Sequence, residues 1–173
     1  MNRKIIAGLA FALLVTNVSL TNAAPVKNID QGQTVAGYNY YDLDGSAHGI
    51  YLEHGLTDRV IVGTEYIDLK HSQHIFDVYG KYKLDPNFLV NLGIRDYKHS
   101  SSKLTVGLEA TTPLSDVIDG YAGVKYNSNE TEFKIGIGHM LNENWGLDLN
   151  YSWHDFDHGK NVNGLGVGVN YSF

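Results

Sequence analysis

From Leu165 to Phe173 the chain alternates without a break. Leu165, Val167, Val169, Tyr171 and Phe173 share one phase, and Gly166, Gly168, Asn170 and Ser172 share the other. Only an extended strand, whose successive Cβ atoms point to opposite faces, separates side chains in this way. The preceding segment repeats the pattern, with Trp145, Leu147, Leu149, Tyr151 and Trp153 opposite Gly146, Asp148, Asn150, Ser152 and His154. A chain written in this period folds as β-sheet, one face apolar and the other small, polar and charged.

The alternation continues upstream. Phe133, Ile135 and Ile137 oppose Glu132, Lys134, Gly136 and Gly138; Leu104, Val106, Leu108 and Ala110 oppose Lys103, Thr105, Gly107, Glu109 and Thr111; Phe88, Val90, Leu92 and Ile94 oppose Asn91, Gly93 and Arg95. Weaker copies cover Val117 to Asn127, Ile75 to Leu84, Arg59 to Leu69, Ala47 to Leu56 and Thr34 to Leu43. The reading is of ten strands of roughly 9 to 11 residues, the length a tilted membrane-crossing strand needs. Four tight-turn signals share a form: Leu56-Thr57-Asp58-Arg59, Leu84-Asp85-Pro86-Asn87, Leu114-Ser115-Asp116-Val117 and Leu141-Asn142-Glu143-Asn144, spaced 28, 30 and 27 residues apart. Each interval holds a strand, a short polar loop and a strand, so the repeating unit is a hairpin. The expected fold is all-β: a closed up-and-down antiparallel barrel of about ten strands, with eight as the alternative should the weak first hairpin, Thr34 to Leu56, stand outside it.

The beginning of the chain sets its compartment. Arg3 and Lys4 precede an apolar run from Ile5 to Val15, and the segment ends on Thr21-Asn22-Ala23-Ala24. That is the layout of a secretory signal peptide, and the run is too short to cross a bilayer as a helix. The predicted organisation is a signal peptide over 1–23, an N-terminal tail over 24–33 and a barrel over 34–173. Removing Arg3 and Lys4 takes the formal charge from −6 to −8, which argues against a nucleic-acid partner. With no cysteine, neither a disulfide framework nor a cysteine-based metal or nucleophile site is available.

Alternation alone does not say which face is inside. In a soluble, lipocalin-like periplasmic barrel that binds a ligand, the apolar face would form the interior. Two features favour the opposite arrangement. Glycine and tyrosine are mixed on the polar faces (Gly49 and Tyr51, Tyr79 near Gly63, Tyr121 and Gly123), which suits a crowded interior. Aromatic residues on the apolar faces gather at strand ends, with Tyr38, Tyr40, Tyr66, Tyr126, Tyr151 and Trp153 toward the loops and Phe88, Trp145, Tyr171 and Phe173 toward the turns. Such rings form interfacial girdles in membrane barrels.

A final strand that ends on Phe173, with Tyr171, Val169, Val167 and Leu165 alternating before it, resembles the assembly signal of bacterial outer-membrane barrels. Joined to a signal peptide, it makes the whole mature chain similar in pattern to the class of small barrels such as OmpX and the OmpA membrane domain. Those have eight strands and long surface loops, so ten strands and short loops depart from them. The resemblance implies residence in a bacterial outer membrane, contact with its lipid and insertion by the barrel-assembly machinery. It also implies that both termini, the tail and the four tight turns are periplasmic, and that five polar loops face outward.

With this phase the lumen receives Lys81, Lys83, Arg95, Lys103, Lys125 and Lys134 against Glu53, Glu65, Asp77, Glu109, Asp119, Glu132 and Asp148. Eight strands leave an interior just filled by side chains, and diameter grows with strand number. A near-neutral network of long side chains in ten strands is therefore expected to plug the lumen or leave it narrowly watered. The glycines Gly136, Gly138, Gly164, Gly166 and Gly168 argue instead for some free volume. The expected function is a porin-like narrow channel for a small solute or ion, or a structural envelope protein, with no cofactor.

Two other functions use the loops. His154-Asp155-Phe156-Asp157-His158 lies in the last outer loop, and closure would bring it beside Asp42 and Asp44 in the first. An enzyme there would need a histidine oriented by a carboxylate within reach of a nucleophile or water. His71, His74, His154 and His158 are also candidate metal ligands, although their spacing is irregular. A solvated polar loop accounts for the same residues.

Overall fold

The computed structural model describes residues 29–69, 73–98, 101–157 and 160–173. The expected signal peptide, His71 and His158 lie outside the described residues. Ten strands follow one another: β1 (Thr34–Asp42), β2 (Ser46–Gly55), β3 (Val60–Leu69), β4 (Gln73–Asp85), β5 (Phe88–Tyr97), β6 (Lys103–Pro113), β7 (Ile118–Tyr126), β8 (Glu130–Met140), β9 (Trp145–Phe156) and β10 (Val162–Ser172). Each pairs antiparallel with its neighbour in sequence, and β10 returns to β1 from Val35↔Ser172 to Tyr41↔Gly166. The first hairpin is therefore part of the wall, and the barrel has ten strands. Thr34 and Phe173 latch the seam by exchanging two backbone hydrogen bonds of 2.9 Å each. Closure removes the edge strands on which an open sheet would pair with other chains.

The recurrent turn signal has a common mechanism. In each of the four turns the second residue folds its side-chain oxygen back onto main-chain N–H groups. Thr57 Oγ1 accepts from Arg59 and Val60 at 3.2 and 3.0 Å, and Asp85 Oδ1 accepts from Asn87 at 2.7 Å. Ser115 Oγ accepts from Val117 and Ile118 at 3.4 and 3.1 Å, and Asn142 Oδ1 accepts from Asn144 and Trp145 at 3.0 and 2.9 Å. The leucine that opens each signal, Leu56, Leu84, Leu114 or Leu141, stands exposed on the outer rim.

The two phases of every strand take opposite sides. Leu104, Leu165 and Ile94 are 67, 60 and 57% exposed on the outside. Charged and amide side chains occupy the inside. Two small apolar clusters interrupt that polar interior, one at each end. Toward the loops, Tyr41, Leu43, Ala47, Ile67 and Ile75 pack together; toward the turns, Ile29, Val35, Ile61 and Leu89 do. The polar reading of the first loop needs correction at Leu43, which turns inward and is buried. Asp44 and Gly45 take left-handed backbone angles (φ 51° and 137°), and Leu43 N–H donates to Gly45 O at 2.9 Å.

Candidate functional site

The site is the lumen, and its hub is Arg95. This side chain is 1% exposed and projects inward from the loop end of β5. Its guanidinium grips Asp77 of β4 with both forks, Nε to Oδ1 at 2.8 Å and Nη2 to Oδ2 at 2.6 Å. It also reaches β8, with Nη2 on Glu132 at 2.7 Å and Nη1 on Glu130 at 3.0 Å. Only an arginine offers enough rigidly spaced donors for three carboxylates. Glu130 accepts in addition from the Tyr97 hydroxyl at 2.6 Å and pairs with His154 Nδ1.

Deeper in the lumen two further groups satisfy their charges locally. Lys125 stands between Glu65 and Asp77 at 3.5 and 3.6 Å, while Lys134 lies 3.9 Å from Glu132 and donates to the Tyr41 hydroxyl at 3.3 Å. Toward the turn end Lys81 joins Glu53 and Glu109 at 2.8 and 3.2 Å, and the Tyr79 hydroxyl donates to Glu53 at 2.8 Å. Tyr121 donates to Asp148 at 2.6 Å. Removing ions from bulk water is unfavourable unless partners replace the hydration, and these distances supply such partners. Among these side chains lies a cavity of about 110 Å³, bordered by Tyr51, Tyr79, Tyr121, Lys81, Lys125 and Asp148.

All thirteen charged residues expected inside lie on the inward phase. Nine of them are buried, while Lys103, Lys125, Lys134 and Asp148 are partly so. Glu130, not among the thirteen, is buried beside them, and the expectation of a last outer loop that begins at His154 needs correction. His154 lies within β9, 3% exposed, paired with Glu130 inside the lumen. The signal was there: His154 shares the phase of Asn150 and Ser152, and Glu130 that of Glu132. Of the two metal candidates among the described residues, His154 is buried in the lumen while His74 faces outward with its ring 5.6 Å from Tyr66, so these two are not brought together. Ligand atoms of Glu130, Glu132 and His154 do lie within 4.8 Å of one another, but both carboxylates are already engaged by Arg95. Ser152, the inward residue next to His154 on β9, donates from Oγ to Asn150 Oδ1 at 3.1 Å. First and last loops do meet, through Lys160 and Asp44 at 2.7 Å. In the final strand Leu165, Val167, Tyr171 and Phe173 are exposed on the outside, with Val169 half-buried on the same face.

No family model matches the chain, and no curated protein matches it in sequence. Solved structures do match in fold. The KdgM porin is 12% identical, with a TM-score of 0.50 over 80% of this chain and 99% of that one. An outer-membrane channel from Pseudomonas putida F1 is 9% identical, with a TM-score of 0.50 over 88% of this chain and 99% of that one. The N-terminal β-barrel domain of Pseudomonas aeruginosa OprF is 14% identical, with a TM-score of 0.47 over 83% and 98%. In fold, then, this chain is an up-and-down antiparallel β-barrel similar to those of outer-membrane channels.

Proposed function

We propose that this chain is an integral protein of a bacterial outer membrane, porin-like in build, with a lumen that its own side chains hold narrow enough to admit water and small ions only. The inversion of faces carries this reading: leucines and isoleucines cover the outside while Arg95, Glu53 and Glu132 are buried within. In water such a belt would far exceed the apolar patches of a few hundred Å² that soluble proteins tolerate. Against acyl chains it is the favourable side, and a closed sheet leaves no backbone group unpaired in the hydrocarbon layer. Trp145 and Tyr171, 4.9 Å apart at the turn end, and Tyr38, Tyr40 and Tyr66 at the loop end suit the two interfaces.

The thirteen lumen charges named above, with Glu130 and His154, act in this reading as a filling rather than a binding site for large solutes. By analogy with small outer-membrane barrels, termini and turns would be periplasmic, 1–23 would be the signal peptide, and Leu165, Val167, Val169, Tyr171 and Phe173 would be the strand read by the assembly machinery. Reconstitution tests the proposal. In planar bilayers and liposome-swelling assays the protein is expected to insert from detergent, exclude monosaccharides and show no large conductance steps. Monosaccharide uptake would overturn the narrow lumen. A monomer freely soluble without detergent would overturn the membrane reading.

A further inference from the structure

We infer that residues 29–33 form a stopper for the turn-end mouth: a short piece of chain that docks across the opening and can leave while the barrel wall stays intact. The inference rests on the narrow-lumen reading and adds a moving part to it. These residues were expected to be a tail, yet Ile29 is 1% exposed and packs on Val35, Ile61 and Leu89, the inward residues nearest the turn end of β1, β3 and β5. The chain then reverses. Gln33 N–H donates to Asp30 O at 3.1 Å, and Gly32 adopts a left-handed φ of 82°, a conformation that suits glycine. Gly32 N–H donates to Gly55 O at 2.7 Å, and Gly55 N–H donates to Gln33 O at 3.0 Å.

Two lumen residues are shaped to receive the segment. A Cβ on Gly55 would stand 2.1 Å from Asp30 O and 3.3 Å from Ile29 Cγ2, so any side chain at 55 meets the stopper's backbone. Lys83 is buried and donates from Nζ to Ile29 O at 2.7 Å, so its ammonium is held by the stopper's main chain. The attachment amounts to one apolar side chain and a few hydrogen bonds, whereas the wall is closed by ladders on all ten strands. Departure would uncover Leu89 and Ile61 and leave the Lys83 charge standing at an open mouth.

The chain has no cysteine, so a single thiol reports on the mouth. Leu89→Cys, and separately Ile61→Cys, are introduced into the full-length barrel and treated with a membrane-impermeant maleimide in detergent. Each is then combined with Gly55→Val, and with deletion of residues 29–33 in case the valine impairs folding. Heat-modifiable gel migration confirms that every variant is folded. Labelling is expected to be slow in the parent and to accelerate at least about tenfold in both combinations, because reactivity follows thiol access. Equal rates with and without the stopper in folded barrels would overturn the inference, as would unhindered labelling of both thiols in the parent. Monosaccharide uptake by the parent strikes the narrow lumen instead, and is read independently of the thiols.

Discussion

Tyr79 of β4 lies directly opposite Gly63 of β3, and its ring fills the space a side chain at 63 would need, with Cε2 2.7 Å from the position of a Cβ there. The arrangement recurs: Tyr51 opposes Gly37, Tyr121 opposes Gly136 and Tyr41 opposes Gly166, each pair in direct cross-strand register. An inward tyrosine can lie along the wall only where its neighbour has no side chain, and a glycine is shielded where a ring covers it. Lying flat, the ring of Tyr79 carries its hydroxyl to Glu53, and that of Tyr121 to Asp148. The glycine–tyrosine mixture of the inner faces is thus a packing device, and it narrows the lumen without sealing it.

A methyl group should therefore be harmful at these glycines and harmless on the outside. Gly63→Ala and Gly136→Ala place a Cβ 2.7 Å from a tyrosine ring and are expected to cost about 1–3 kcal/mol, the range for overpacking. Gly80→Ala, whose nearest atom would be 3.8 Å away, should stay within about 0.5 kcal/mol of the parent. Urea unfolding in lipid vesicles measures all three. Similar costs inside and outside would show that the rings do not depend on the glycines.

Arg95 should be the least replaceable side chain in the lumen. Arg95→Met removes the common partner of Asp77, Glu130 and Glu132 and leaves three buried carboxylates near one another. Breaking a buried ion pair from one side costs about 3–5 kcal/mol. The carboxylates can relieve that cost by taking up protons or by drawing in water and cations. Urea titration should report the destabilisation, and bilayer recording should show a new cation-selective leak. Arg95→Lys should remain destabilised as well, because one ammonium cannot reproduce the fork on Asp77 at 2.8 and 2.6 Å. Parent-like stability in Arg95→Met would remove Arg95 from the centre of the network.

The turn caps predict a graded series. Asn142 receives two main-chain bonds at 3.0 and 2.9 Å, and Ser115 receives two longer ones at 3.1 and 3.4 Å. Replacing either with alanine should lose about 0.5–1.5 kcal/mol, the net worth of an intramolecular hydrogen bond, with Asn142→Ala the larger. The same urea titration orders the pair, and a larger loss at Ser115 would contradict the geometry.

Strand number, turn positions and the inward or outward sense of each side chain were legible because period 2 is a purely local property of the chain. Leu165 and Arg95 declare their sides by their neighbours alone. Partners were not legible in this way. Arg95 meets Glu130 and Glu132 inside the closed lumen, 35 and 37 residues away in sequence, and no local pattern encodes that distance. His154 was misplaced at the rim because its neighbours Asp155 and Asp157 look like loop, although its phase put it inside. Leu43 and Ile29 were missed for a related reason. Each is a lone apolar residue in a polar stretch, and its burial depends on a mouth that exists only once the barrel has closed.

A charge placed on the outer face separates a membrane barrel from a soluble one. Leu149 lies near the middle of β9, 46% exposed, between Ile137 of β8 and Val167 of β10. On a soluble barrel an outward leucine changed to arginine would alter stability by no more than about 0.5 kcal/mol. In a bilayer the same change puts a charge at mid-depth and is expected to cost about 2–4 kcal/mol. Leu56, on the outer rim beside the first turn, is 49% exposed, yet Leu56→Arg should cost only about 0–1 kcal/mol because its charge reaches the interface. The two leucines are almost equally exposed, so accessibility predicts equal effects and only depth in lipid predicts a difference. Urea unfolding in vesicles of one lipid measures that difference, and equal costs at 149 and 56 would mean that no hydrocarbon layer surrounds the outer face.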